Sequence, residues 1–343
     1  MFLRKRIMET RKVQRSGNSS FVVSLPAAWV KAYGIRKNAA VSMALNPDGT
    51  LTIYPKEAKA AARRGLSIAY RGERERTAVL RRMIGAYIAG FEAIELRLEP
   101  KGYESAISLV SEFTSMTVGQ EVVEESQQKI VIHNILQPSE LPVEKALLRM
   151  VNISKRMFSD ALLAIERPEA AGGMQMSQME RDADRLWRLM ARRHNLFLRF
   201  PSSAAGEGMS LAHAHFYFLT ARLTERVADH SVMLYNYHGF AQQAGGREPG
   251  IQKIMEFGRK ASLLFGRATD AVFKLDVGSA NSIIDDADAL EAHFDQVFMA
   301  DRRLSSSVQI GAMKQQVKRV SEYSADICEY LIDYGAGDYS GGL

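Results

Sequence analysis

A single cysteine, Cys328, stands among the 343 residues, so no internal disulfide can form. Apolar runs stay short of the ~18 residues that a membrane-crossing helix requires. The basic N-terminus lacks the apolar core of a secretory signal. These absences argue against an extracellular disulfide scaffold and against membrane insertion, and they predict a cytoplasmic chain. Charge of one sign is scarce as well: 45 Lys and Arg face 39 Asp and Glu, a net charge of +6. Its placement says more than its sum, because six of the first fifteen residues are basic (Arg4, Lys5, Arg6, Arg11, Lys12 and Arg15) and only Glu9 opposes them.

What is present changes character twice along the chain. From Met8 to Pro55, alternation over Arg11–Val13, Phe21–Val23, Ala40–Leu45 and Leu51–Tyr54 predicts four short strands. A turn is expected over Ser16–Ser19 and a hairpin over Asn46-Pro47-Asp48-Gly49, where Pro and Gly suit the backbone that a tight turn needs. Pro26 opens a short helix and Gly34 closes it. So small an apolar mass predicts that two copies share one core. After an Ala, Lys and Arg rich stretch over residues 56–64, read as a linker or a short exposed helix, a βαβαββ pattern predicts a small α/β domain over residues 65–135. Neither a phosphate-cradling glycine loop nor a catalytic constellation appears in it, and the chain as a whole is read as a non-enzyme.

From Leu141 onward apolar residues recur at helical spacing, and breaks near 168–173, 201–208, 244–250, 278 and 305–307 divide the region into six helices. The region repeats itself. Arg222-Leu-Thr-Glu225-Arg-Val-Ala-Asp229 lies against Arg319-Val-Ser-Glu322-Tyr-Ser-Ala-Asp326, and Asp182-Ala-Asp184-Arg-Leu186 against Asp286-Ala-Asp288-Ala-Leu290. Ser159-Asp-Ala-Leu162 and Thr269-Asp-Ala-Val272 complete the correspondence. Duplication predicts tandem three-helix bundles over residues 140–240 and 248–336. The expected fold class is therefore multidomain α+β: an N-terminal β domain over residues 1–56, a central α/β domain and an all-α C-terminal half.

Two resemblances rest on these residues. The segment from Lys12 to Val30, Lys-Val-Gln-Arg-Ser-Gly-Asn-Ser-Ser-Phe-Val-Val-Ser-Leu-Pro-Ala-Ala-Trp-Val, resembles the SpoVT/AbrB family of swapped-hairpin DNA-binding domains. That likeness implies a dimeric β-barrel with a basic face toward DNA. The duplicated half, through Glu225-Arg-Val-Ala-Asp229-His and Glu322-Tyr-Ser-Ala-Asp326, resembles the PhoU family. It implies a negative regulator of phosphate uptake, acting on a phosphate transporter or its sensor kinase, with acidic helical motifs that hold metal. The fusion looks like the arrangement in archaeal members.

The acidic motif has a physical reading of its own. Carboxylates at i and i+4 share one helix face and repel by a few tenths of a kcal/mol, so a compensating cation is expected. An all-oxygen set without cysteine suits Mg, Mn, Fe or Ca better than a structural zinc, and the expected cofactor is a divalent or ferric ion, Fe, Mn, Mg or Zn. Glu225, Asp229, Glu322 and Asp326 lead the ligand set. Glu180 and Asp184 join from the second helix, whereas the other repeat has Ile284 in place of the first acid and keeps Asp288 alone. The plainer alternative is a solvated face, with Arg222 and Arg319 three residues before each Glu as partners. Duplication with the same flanking residues favours metal. His230 aligns with Ile327 in the repeat and is read as packed or half-exposed, Cys328 as a small buried hydrophobe, and Trp187, Phe216, Phe218 and Phe265 as core.

The expected function is a phosphate-homeostasis regulator that binds DNA through Arg4, Lys5, Arg6, Arg11, Lys12 and Arg15 in a homodimer, and metal through its acidic helices. A metal-free helical docking scaffold is the alternative. A carboxylate-bridged metalloenzyme or iron store is the other, and the lack of Glu-x-x-His pairs in the helical half counts against it.

Overall fold

The computed structural model describes residues 9–339 except 18, 46–48, 56–63, 100–101, 138, 202–203, 205–206, 245–247, 302–303 and 305–306. The chain divides into two compact units, Met1–Ala62 and Arg63–Leu343.

In the first unit, β1 (Gln14–Ser16) pairs antiparallel with β2 (Ser20–Val22), and β3 (Val41–Leu45) with β4 (Leu51–Pro55). A single helical turn and a half, α1 (Ala27–Ala32), lies between the two hairpins and ends before Gly34, which takes a positive φ of 62°. The first strand lies three residues later than the alternation at Arg11–Val13 predicts, because the pairing partner Ser20–Val22 sets the register across the turn. Among the described residues these four strands form two hairpins, β1-β2 and β3-β4. Asn46, Pro47 and Asp48 of the expected hairpin turn, and Arg4, Lys5 and Arg6, lie outside the described residues. Among those described, none in this unit is buried. Phe21 is 73% exposed, Leu45 79% and Met43 65%, so among the described residues the strands present an exposed apolar face.

The second unit begins with a four-stranded sheet in the order β5-β6-β8-β7. Its strands are β5 (Gly65–Tyr70), β6 (Ala93–Leu98), β7 (Gln120–Glu125) and β8 (Lys129–Asn134). The β5–β6 pair is parallel because α2 (Arg76–Ile88) crosses between them; β6–β8 and β7–β8 are antiparallel. Alternation puts Ile68, Tyr70, Ile94, Leu96, Ile130 and Ile132 on one face, where α2 and α3 (Tyr103–Ser115) cover them through Met83, Tyr87, Leu109 and Phe113.

Then come α4 (Val143–Glu166), α5 (Met176–Arg199), α6 (Leu211–Tyr235), the short α7 (His238–Ala244), α8 (Pro249–Lys274), α9 (Val277–Ala300) and α10 (Val308–Tyr339). The six long helices share one continuous core that runs from Val143 to Leu331. Helix α6 packs along α10 and α4 along α8, so the two triplets are joined through their cores rather than strung as separate bundles. Gly258 on α8 permits part of this: a Cβ there would lie 2.4 Å from Cδ2 of buried Leu162 on α4.

Three arginines of α5 hold the sheet domain to the bundle. Arg185 donates to the Thr117 carbonyl at 3.1 and 3.2 Å, Arg188 to the Met116 carbonyl at 3.1 Å, and buried Arg192 to the carbonyls of Tyr87 and Phe91, each at 2.8 Å. Arg192 also reaches Glu92 at 2.9 Å. These carbonyls close the C-terminal ends of α2 and α3, where the helix dipole favours a cation.

Candidate metal centre

The sequence-predicted acids fall into two clusters, one in each triplet. In the first, one carboxylate oxygen each of Asp184, Glu225 and Asp229 lies within 4.8 Å of the others. Helix α5 supplies Asp184 and α6 supplies the other two, since four residues of helix return both side chains to one face. Glu225 is buried at 9% exposure. Burial first, and the neighbouring charge of Asp229 next, push its carboxyl up to about 7. Asp229 is raised by burial and by Asp184, and Glu180 by burial, Asp184 and Asp229, so all four acids belong to one electrostatic group.

Arginines ring the first cluster. Arg222 lies 2.9 Å from Glu225, Arg226 3.5 Å from Asp229, and Arg188 2.8 Å from Asp184. The ion pairs of a plain solvated face therefore do form. Even so, burial first and the charge of Asp229 next raise Glu225 despite two nearby guanidiniums, where three carboxylates from two helices converge.

The second cluster is built differently. Glu322 is held by Arg319 at 2.6 Å, and Asp326 is raised by burial, Glu329 and Glu322. Asp288 is exposed. The acid that faces Glu322 from α9 is Glu291, pushed up to about 7 by burial, then by Glu322, with Asp288 adding to it. Repeat comparison misses Glu291 because its counterpart is Trp187; the Asp288-x-x-Glu291 spacing on one helix face is the signal that points to it. Lys318 enters here, 3.0 Å from Asp295 and 3.7 Å from Glu291, where the first repeat has Ala221. Among the described residues, the tight three-carboxylate grouping occurs in the first cluster and not in the second.

His230 sits between the clusters. One ring nitrogen lies 2.6 Å from Oε1 of Gln316 and the other 3.2 Å from the Tyr323 hydroxyl, which ties α6 to α10 and leaves it no ligand role. Phe216, Phe265 and Cys328 are buried, and burial raises the Cys328 thiol to about 12. Trp187 packs against the core while only partly buried, and Phe218 is only partly buried, a departure from the core expected of it. They stack at 5.3 Å, and Arg222 covers the Trp187 ring at 5.1 Å while it pairs with Glu225.

At the N-terminus, Arg11 is paired with Glu9, and Lys12 and Arg15 are exposed. No helix among the described residues is long and apolar enough to cross a membrane.

Comparison with known proteins follows this division. Residues 147–236 match the family model of the PhoU domain, and residues 14–60 match that of MazE, described as antidote-toxin recognition, a bacterial antitoxin. The chain thus joins a MazE/AbrB-like N-terminal domain to a PhoU domain. Among solved structures, PhoU from Pseudomonas aeruginosa aligns at 17% identity and a TM-score of 0.48, covering 59% of this chain and 100% of that one. No curated protein matches.

Proposed function

We propose that this protein is a cytoplasmic, non-enzymatic regulator of phosphate homeostasis. It binds DNA as a dimer through its N-terminal domain, binds metal through its acidic helices, and acts together with a phosphate transporter or its sensor kinase. The observation that carries the metal reading is the meeting of Asp184, Glu225 and Asp229 within 4.8 Å in a partly buried site. Glu180 completes the donor set. All donors are carboxylate oxygens, which fits a hard divalent or ferric ion (Mg, Mn or Fe, with zinc less suited), and such an ion would supply the positive charge that like-charged, partly buried acids require. In the second cluster Glu291 joins Asp288, Glu322 and Asp326, and Lys318 supplies part of the charge.

Two things support the DNA reading: the MazE/AbrB-like match over residues 14–60, and apolar strand faces that are exposed among the described residues. A second copy burying Phe21, Met43 and Leu45 would complete a swapped-hairpin barrel and bring two sets of Arg11, Lys12 and Arg15 to one surface. Arg4, Lys5 and Arg6 would extend it. The regulatory link is a coupling free energy between the metal site and the DNA-binding dimer.

Metal content of the protein purified without chelator, measured by mass spectrometry beside Glu225→Ala/Asp229→Ala, tests the reading. Near-stoichiometric metal that falls in the folded variant is the expected result. Absence of metal from both proteins would reduce the acids to an ion-paired helix face and favour a metal-free docking scaffold.

A further inference from the structure

We propose that the outer face of α2 is a second binding surface for the phosphate backbone of DNA, in addition to the N-terminal domain. The inference rests on the reading that the chain binds DNA, and extends it to a domain to which neither composition nor family likeness assigns a role.

Residues 71–82 hold five arginines and two acids, Glu73 and Glu75. The acids are taken up locally. Arg71 lies 3.6 Å from Glu75 and 3.2 Å from Glu99, and Arg76 lies 3.8 Å from Glu73 and 2.6 Å from Glu112. Arg74, Arg81 and Arg82 are exposed and form no ion pair with any of the described residues. Arg74 stands in the 3-10 turn that leads into α2, and helical spacing places Ala78, Arg81, Arg82 and Gly85 on one side of the helix, opposite buried Val79, Met83 and Ala86.

Between and beside the guanidiniums the face is small. Ala78 and Gly85 are exposed, and open space lies where a Cβ of Gly85 would point. A glycine in the middle of a helix costs about 1 kcal/mol relative to alanine, yet no described neighbour within this chain makes use of its smoothness. The chemistry separates two classes of partner. A protein interface needs apolar anchors at its centre, and among the described residues no large exposed apolar side chain lies between Leu51 and Ile107, so α2 offers none. A polyanion needs exposed, uncompensated cations on a surface that it can approach closely, and arginine forks match phosphate oxygens. The domain also follows the N-terminal unit directly along the chain, β4 ending at Pro55 and β5 beginning at Gly65, so DNA held by the first unit is at high effective concentration for the second.

The test is the salt dependence of binding of the full-length protein to a duplex of random sequence. For Arg81→Ala/Arg82→Ala, the slope of log K against log salt should fall in magnitude by about 1 to 2 for each protomer whose α2 meets the duplex, at close to 0.9 for each phosphate no longer neutralised. Arg81→Lys/Arg82→Lys should keep the wild-type slope, which also guards against an effect of misfolding. A wild-type protein that binds DNA with the same slope as the alanine variant overturns this inference and leaves the N-terminal reading intact. A wild-type protein that binds no DNA overturns both.

Discussion

Arg188 on α5 lies 2.8 Å from the carboxylate of Asp184 while donating to the carbonyl of Met116 at 3.1 Å. One guanidinium therefore holds an acid of the candidate metal centre and the C-terminal end of α3 together. Any cation that draws Asp184 away changes what Arg188 can give to the sheet domain, so the site and that domain share a physical element.

The first prediction concerns this bridge. Arg188→Ala removes a charge-assisted hydrogen bond from a partly buried carbonyl and should lower stability by about 1–3 kcal/mol. Denaturant unfolding reads the loss, and hydrogen exchange should quicken at residues 116–118. Unchanged exchange there would mean that Arg185 and Arg192 hold the domains without it.

Glu225→Gln separates the two roles of the buried acid. At pH 8 the metal-free variant should be more stable than the wild type by roughly 1 kcal/mol, because a neutral amide avoids the cost of burying a charge beside Asp229. Its affinity for Mn²⁺ should fall at least tenfold. Equal affinity in a titration would remove Glu225 from the ligand set.

The pH dependence follows from the same group. Burial raises the Glu225 carboxyl from 4.5 to about 7, so between those values the folded chain holds a proton that the unfolded chain has released. The stabilisation is complete below about 4.5 and is lost as pH rises through 7. The stability difference between metal-free wild type and Glu225→Gln should therefore move in favour of the variant across this window. Metal affinity should move the other way and rise with pH, since the ligand must release its proton. A stability difference that is flat from pH 4.5 to 8 would contradict the burial argument.

The N-terminal strands predict an association. Phe21→Asp puts a charge on an apolar face that is exposed among the described residues, and sedimentation should show the full-length protein shifting toward monomer, while Phe21→Leu keeps the wild-type mass. A wild-type chain that sediments as a monomer, or an aspartate variant that stays a dimer, would place the association elsewhere.

Much of this organisation was legible in the sequence because it depends on periodicity. Alternation at Ile68 and Tyr70, and again at Ile130 and Ile132, marks buried strand faces, and the repeat of Glu225 and Asp229 as Glu322 and Asp326 marks two equivalent helix faces. The first strand was displaced because short exposed strands take their register from a partner rather than from their own pattern. Glu291 was invisible to repeat comparison for the opposite reason: the second triplet departs from the first there, with Glu291 for Trp187 and Lys318 for Ala221.

By itself the sequence determined which residues share a face, since side-chain direction along a helix or strand follows from backbone geometry alone. It determined, too, that like charges would stand one turn apart on two duplicated helices. Only the tertiary structure decided which faces meet: that Asp184 of α5 joins Glu225 and Asp229 of α6, that the two triplets share one core, and that arginines of α5 close the ends of α2 and α3. Those meetings depend on how helices cross and how far burial strips water from the groups between them, and neither quantity is carried by the spacing of residues along one chain.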